Sequence, residues 1–339
     1  MFLATLFAVS DTSFVEIALF SDRTVSSLVL RVPGGAYFIQ AASNNLLING
    51  DTAPEFVVWG PHDKEITLDG GTVVRTYSGK ITIRAQHGAL LIVNSLRMEE
   101  YLAGVIAAEM GQAPFQALKA QAVLSRTLAF ERMSRAKGHF ADNEDFQVYR
   151  GTGPLTEECL DAVRATRNEV IVYGEKRPSM VQVFFHGSCG GHLSRPSQVW
   201  GGYDLPYLYY GPDPFCVLDT TQAWRVAFGL DSLSLVFGTT DCPAVLKRDS
   251  SGRATQVAVG GVRMKGTEFR KRLGLRSTLI TNLECTPDSA IIAGRGYGHG
   301  IGLCQRGAML RAESGDDYMR ILEFYYPGAR VVGFWETEK

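Results

Sequence analysis

Glu109 ends the apolar run Tyr101-Leu102-Ala103-Gly104-Val105-Ile106-Ala107-Ala108. At helical spacing it shares a face with Leu102, Val105 and Ile106, surroundings that resist ionisation and raise the carboxyl's affinity for a proton. A carboxyl kept partly protonated near neutral pH is a candidate general acid. The plainer alternative is a helix-end glutamate that reaches water or pairs with Arg126. Lys119 and Arg126 lie seven residues apart, nearly two helical turns, so both cations project from one face.

Two further constellations are polar and rich in glycine. The stretch His186-Gly187-Ser188-Cys189-Gly190-Gly191-His192 directly follows a strand-like segment, a common place for a site. By residue type His186, Cys189, His192 and Cys216 make a four-ligand zinc set, but neither the HxxC step nor the 26 residues before Cys216 is a recognised spacing. A Cys189–Cys216 disulfide and a cysteine nucleophile served by His186 or His299 are competing uses. The segment Gly294 to Gly307 carries six glycines in fourteen residues and presents Tyr297 and His299, with Gln305 close behind. It lacks the Lys-Ser or Lys-Thr ending of a phosphate loop and the spacing of a dinucleotide fingerprint, which argues against a nucleotide.

The elements that must position these residues can be read from periodicity. From Ser13 to about Asn94, short apolar runs such as Val15 to Phe20, Ser27 to Val32, Val73 to Tyr77, Lys80 to Arg84 and Leu90 to Val93 alternate with turns such as Pro33-Gly34-Gly35 and Asn49-Gly50-Asp51, a pattern of strands and hairpins. A helix over about Met98 to Met110 follows, then a break at Gly111. A second helix spans about Phe115 to Ser134, with Pro114 as an early helical residue. The stretch Glu169 to Phe185 reads as strand. The stretch from about Val217 to Glu284 reads as mixed strands with one short helix near Gly266 to Leu273, and a last helix over about Asp317 to Tyr326 is stopped by Pro327-Gly328. The fold class is therefore α+β, with a strand-rich segment at 1–95 and a mixed region at 96–339 whose helix pair flanks a cleft.

Composition narrows the function. Of the 339 residues 45% are hydrophobic and 20% charged, an ordinary folded chain. With 34 Lys and Arg against 35 Asp and Glu, a net charge of -1 disfavours nucleic acid as a partner. Six cysteines with no CxxC pair permit disulfides without requiring them. Met1 to Ser10 is apolar but has no basic start, which fits either a trimmed secretion signal or a first strand.

Taken together, the chain resembles the SpoIID family, the sporulation stage II protein D and amidase-enhancer group of bacterial cell-wall metabolism. The resemblance is carried by Met98-Glu99-Glu100-Tyr101-Leu102 through Ala107-Ala108-Glu109-Met110, by Ala117-Leu118-Lys119-Ala120-Gln121-Ala122 with Arg126-Thr127, and by Phe146-Gln147-Val148-Tyr149. It continues in the His186 to Gly191 turn, Val199-Trp200-Gly201-Gly202, Leu205-Pro206-Tyr207-Leu208, Gly294 to Gly307 and Tyr325-Tyr326-Pro327-Gly328, over roughly three quarters of the chain.

The resemblance implies a lytic transglycosylase that cuts the bond between N-acetylmuramic acid and N-acetylglucosamine in peptidoglycan, on glycan stripped of stem peptides, leaving a 1,6-anhydromuramic end. The family's catalytic glutamate falls on Glu109 and its basic residue on the next helix on Arg126, with an interval one residue shorter than in members with a longer Glu-Met-Pro turn. One carboxyl group suffices, because the substrate's own 6-hydroxyl is the nucleophile. Lys119, Arg126, Gln147, His186, Ser188, Tyr297, His299 and Gln305 become candidate glycan-binding residues, with a solvated helix face or self-tied loops as the alternative. Trp200 and Tyr207 are candidates to stack on sugar rings or to be core. The partners implied are peptidoglycan strands and a cell-wall amidase, at the cell envelope outside the cytoplasm. Some family members hold zinc near the Gln-Val-Tyr motif through cysteines and histidines, but the cysteines are missing from Gly138 to Gln147, so neither that metal nor any other cofactor is expected.

Overall fold

The computed structural model describes residues 14–60, 65–135, 138–144 and 146–333, so the apolar stretch Met1 to Ser10 lies outside the described residues. The fold is α+β. It divides into two compact units, residues 1–180 with 331–339, and residues 181–330. The division falls between Met180 and Val181. The strand Ala89–Arg97 runs straight into the helix Met98–Met110, and both pack in one core.

Two sheets make up the strand-rich part of the first unit. One is ordered Phe140–Ala141, Phe14–Ala18, Ala89–Arg97, Gly79–Gln86, Glu55–Gly60, and is antiparallel except for the pairing of Ile17 with Phe140. The other is an antiparallel six-stranded sheet holding Ser27–Val32, Gly35–Ala42 and Ile66–Asp69. Alternation decides which face is buried: Leu28 and Leu30, Ile81 and Ile83, and Val15 and Ile17 point inward while their neighbours face out. Against this core pack α1 (Met98–Met110), α2 (Phe115–Arg135) and α3 (Glu157–Ala165). Gly111, at φ 58°, ends α1 in a backbone conformation that favours glycine. Gly104 in mid-helix leaves room for the Tyr149 ring, which an added Cβ would meet at 2.6 Å.

Asp142 organises the connection after α2. It is fully buried and accepts from the Phe20 N–H at 2.9 Å, from the Ser21 N–H at 2.9 Å and from the Ser21 hydroxyl at 2.6 Å. It also pairs with Arg75 at 2.9 Å. Four donors satisfy a charge that burial alone would penalise. The result staples residues 140–151 to the end of the first strand, and those residues carry the Gln147-Val148-Tyr149 segment.

In the second unit, the sheet Ala223–Gly229, Ser289–Arg295, Ile280–Cys285 and the sheet Ala244–Arg248, Ala254–Val259, Val262–Lys265 enclose a core of Trp224, Val257, Phe269, Ile280 and Ile292. A disulfide joins Cys242 to Cys285. Four helices were not apparent from periodicity, Glu157–Ala165, Pro196–Val199, Leu230–Phe237 and Gln305–Glu313; all are short, the first set by the Thr156 side chain at its start and the third by left-handed Gly238 at its end. The stretch expected as strand to Phe185 is a longer strand over Glu169–Tyr173, with two-residue strands at Ser179–Met180 and Phe185–His186. Among the described residues no helix is long and apolar enough to cross a membrane.

Replacing Asp142 with Ala leaves Arg75 and three donors unanswered. Urea unfolding of the full chain should show a loss of about 3–5 kcal/mol, and a loss below about 1 kcal/mol would remove Asp142 from this role.

Candidate functional site

Glu109 sits in the last turn of α1, half-buried, and its Oε1 accepts a hydrogen bond from the Val148 N–H at 2.8 Å. Two influences act on this carboxyl in opposite directions. The carbonyl end of the helix disfavours negative charge, whereas the amide of Val148 favours it and fixes the plane of the group. The wall behind it is aromatic and buried: Tyr101, whose phenol burial pushes far above the usual range, packs at 5.4 Å from Tyr149 and 5.6 Å from Phe140.

Gln147 lies beside this carboxyl in the chain but is fully buried. Its amide nitrogen contacts the Tyr101 hydroxyl and the Ser125 carbonyl, both at 3.4 Å, and its Oε1 has no hydrogen-bond partner. Tyr149 donates its hydroxyl proton to Asn94 at 2.9 Å. The Gln-Val-Tyr segment is thus held by its two outer side chains while its central amide holds Glu109.

Arg126 occupies a different position from the one expected. It is fully buried, and its guanidinium forms a fork with Glu99, Nε to Oε1 at 2.9 Å and Nη2 to Oε2 at 2.6 Å. The remaining donors reach the carbonyls of Glu169 at 3.2 Å and Val163 at 3.3 Å. Arg126 is therefore a brace joining α1, α2, α3 and the following strand, not a surface cation, and Glu109 accepts from the Val148 N–H. Lys119 is half-buried with its ammonium 5.9 Å from the Phe115 ring centre. The two cations do not form one exposed face, because at position 126 the helix faces its neighbours.

His186, Ser188, Tyr297, His299 and Gln305 all belong to the second unit, where the two glycine-rich stretches dock on one another. Ser188 and Tyr297 exchange backbone hydrogen bonds at 2.9 Å, and the Arg306 N–H donates to the Gly187 carbonyl at 3.0 Å. Close approach requires glycine at 298, since an added Cβ would come within 2.8 Å of the His186 Cβ. The His186 and His299 rings lie 5.3 Å apart, and His299 lies 5.1 Å from Trp200, which is 45% exposed and flanked by Phe184. Trp200 thus offers an aromatic face to solvent. Tyr297 is also exposed, whereas Ser188 and Gln305 are buried. The Tyr207 hydroxyl accepts from the Gln182 N–H and is tied to the backbone.

Both imidazoles are held neutral. Burial, with the charges of Arg253 and Arg270, pulls His299 down to about 3, and its Nδ1 accepts the Ile301 N–H at 3.1 Å, a bond that protonation would break. Burial likewise pulls His186 well below its ordinary value; its Nδ1 faces the Ile301 carbonyl at 3.1 Å and so carries the proton.

The cysteines pair otherwise than by the Cys189–Cys216 disulfide considered from the sequence. Both are free and buried, and the third sulfur of their cluster is Cys304, which was not in the four-ligand set of His186, Cys189, His192 and Cys216. His192 is not part of it, its Nδ1 lying 2.9 Å from the Leu193 carbonyl. Near Gln147 the chain has His139 and Asp142 but no cysteine, and Asp142 is fully engaged, so the residues there do not fit a zinc ion. The residues that sequence reasoning missed are Glu99, Asp142 and Cys304; an acidic partner for Arg126 was signalled by Glu99-Glu100 at the start of α1.

Comparison with known proteins places these residues in context. A family model described as SpoIID, Stage II sporulation protein, matches residues 86–173, which contain Glu109, Arg126 and Gln147. The chain is 31% identical over 290 residues to an uncharacterised protein of Brachyspira hyodysenteriae, covering 80% of this chain and 77% of that protein. It is 26% identical over 264 residues to Stage II sporulation protein D of Bacillus subtilis, covering 70% and 75%. It is also 28% identical over 293 residues to the Amidase enhancer of Bacillus subtilis, covering 69% of this chain and 40% of that protein.

Replacing Arg126 with Ala should lower stability by about 3 kcal/mol in urea unfolding, with Lys intermediate because it keeps the charge and loses the fork. A variant that is stable but binds glycan weakly would return Arg126 to a binding role. The neutral His299 also sets a pH dependence. Below its ordinary value of 6.5 the unfolded chain takes up a proton that the folded ring refuses, so stability falls from about pH 6.5 towards about 3 and is unaffected above. The thermal midpoint of His299→Gln should therefore fall less than that of the parent between about pH 7 and about 5. Equal falls would show that His299 is not held neutral.

Proposed function

We propose, on the premise that this chain belongs to the SpoIID family, that it acts in bacterial cell-wall metabolism as a peptidoglycan lytic transglycosylase outside the cytoplasm. The observation that carries this reading is the Glu109 carboxyl at the end of α1, oriented by the Val148 amide. The reaction needs one group that can first give and then take a proton. Glu109 as the acid protonates the glycosidic oxygen between N-acetylmuramic acid and N-acetylglucosamine, and the C1–O bond breaks. As carboxylate it then accepts the proton of the 6-hydroxyl while that oxygen bonds to C1, closing the 1,6-anhydro ring. The two influences on Glu109 suit the two halves, the helix carbonyls favouring the proton and the Val148 amide favouring the carboxylate that follows.

Gln147 and Tyr101 support Glu109 from behind, and in the second unit Trp200 presents an exposed aromatic face of the type that stacks on sugar rings. Peptide-free glycan strands are the proposed substrate. A second reading draws on the similarity to the Amidase enhancer, in which the chain binds glycan without cutting it and stimulates a cell-wall amidase.

Purified protein incubated with peptide-free glycan, followed by mass spectrometry, separates the readings. Anhydromuramic products that disappear in Glu109→Gln, with the fold intact and a rate loss of about 100-fold or more, support the enzyme. Undiminished turnover in that variant removes Glu109 from the assigned role. Glycan retention and amidase stimulation without any cleavage by the parent protein establishes the second reading.

A further inference from the structure

The second unit buries three cysteines that the proposed reaction does not use. Cys189 belongs to the turn after His186, Cys216 opens a short 3-10 turn, and Cys304 ends the strand Leu303–Cys304. All three sulfurs lie within 4.8 Å of one another, and those of Cys216 and Cys304 are 3.9 Å apart. A disulfide would bring two sulfurs to about 2.05 Å. Ligands around one tetrahedral zinc, with bonds of about 2.3 Å, sit about 3.8 Å apart. The observed separations suit a shared ion.

Backbone N–H groups face two of the three sulfurs, while Asp213 Oδ2 lies 3.8 Å from that of Cys189. The Gly191 N–H donates to the Cys189 sulfur at 3.3 Å, and the N–H groups of Cys189 and Gly307 both donate to the Cys304 sulfur at 3.2 Å. Cys304 also caps the nine-residue helix Gln305–Glu313, whose positive end favours an anionic sulfur. Arg253, 1% exposed, donates to the Cys189 carbonyl at 2.6 Å, and its Nη1 has no hydrogen-bond partner. Three thiolates around a dication leave one negative charge, which this buried guanidinium is placed to balance. Asp249 is a second anion near it, but its Oδ1 is taken up by Ser251 and by the Arg253 backbone N–H.

A third observation is the Cys242–Cys285 disulfide in the same unit. Conditions that form that bond would also oxidise two bare neighbouring thiols, leaving an odd one behind. A bound soft cation keeps such a trio reduced.

We propose that Cys189, Cys216 and Cys304 hold one zinc(II) ion, a structural centre that ties the turn after His186 to the start of the helix Gln305–Glu313. The three thiols release their protons as they bind it. Two buried oxygens neighbour the sulfurs, the Ser188 hydroxyl 3.5 Å from Cys216 and the Asp213 Oδ2 3.8 Å from Cys189.

Elemental analysis of the full chain purified without chelators tests this, together with colorimetric zinc release by a thiol-blocking reagent. The expected content is about one zinc per chain. Cys304→Ser should lose the metal and unfold at lower temperature, whereas Cys159→Ser, at a buried thiol of the first unit, should keep both. Should Cys304→Ser fail to fold, the parent protein exchanged with cadmium must show sulfur-to-cadmium absorption in the ultraviolet. Three results would overturn the proposal: a parent chain that takes up no zinc even when supplied, a disulfide between any two of the three cysteines, or zinc retained when all three are replaced by Ser.

Discussion

The guanidinium of Arg126 is the interaction on which the first unit depends. An arginine with no exposed surface is tolerated only if its donors are matched, and here the fork to Glu99 and the carbonyls of Val163 and Glu169 match them. Those partners come from the first turn of α1, the end of α3 and the strand that follows. Together they set how the helices lie against one another, because a shift of either helix would break a charge-assisted bond in an apolar setting. Glu109 stands at the far end of the same helix whose beginning is anchored by Glu99. The anchor therefore acts on the carboxyl from three turns away, through a rigid element and not through contact.

The second constraint is the path of the chain after α2. Residues 140–144 and 146–151 contain little regular structure, and the buried Asp142 carboxylate fixes where they begin. Asp142 ties them to Phe20 and Ser21, and the Tyr149 hydroxyl ties them to Asn94 in the strand that feeds α1. The Val148 amide is thus held between two fixed points. An amide so placed can orient a carboxyl without reorganising when the charge on that carboxyl changes, which is the property a group with two successive proton transfers requires.

Much of this was legible in the sequence. The 3.6-residue period of Met98–Met110 and Phe115–Arg135, with Gly111 and Pro114 between them, places both helices to within a residue. Alternation over Ser27–Val32 does the same for a strand. What periodicity cannot show is which neighbour a polar side chain chooses. The seven-residue interval between Lys119 and Arg126 marks one helix face correctly, yet whether that face meets solvent or another helix depends on α3, a helix short enough to leave no clear pattern. The cysteines illustrate the same limit. Cys189, Cys216 and Cys304 are separated by tens of residues and match no ligand spacing, so only the docking of the two glycine-rich stretches brings the sulfurs together.

Glycine is what makes that docking possible, and this gives the glycine-rich segment a different meaning from the ligand-cradling one its composition suggests. Gly298 gives way to His186, Gly300 to the Arg253 guanidinium, and Gly307 to the Tyr325 hydroxyl and the Asp213 carboxylate, each at distances a Cβ could not share. The side chains missing from these positions make room for buried polar groups of the protein itself. Those groups are matched in turn: Asp213 receives the Tyr325 hydroxyl at 2.6 Å, and Arg253 reaches the Cys189 carbonyl. A core built on polar contacts tolerates less variation in backbone spacing than an apolar one, because a hydrogen bond is lost within a few tenths of an ångström where a methyl contact merely weakens. The run of glycines is therefore best understood as the requirement for close packing beneath Trp200 and His299, with the exposed aromatic face as its product.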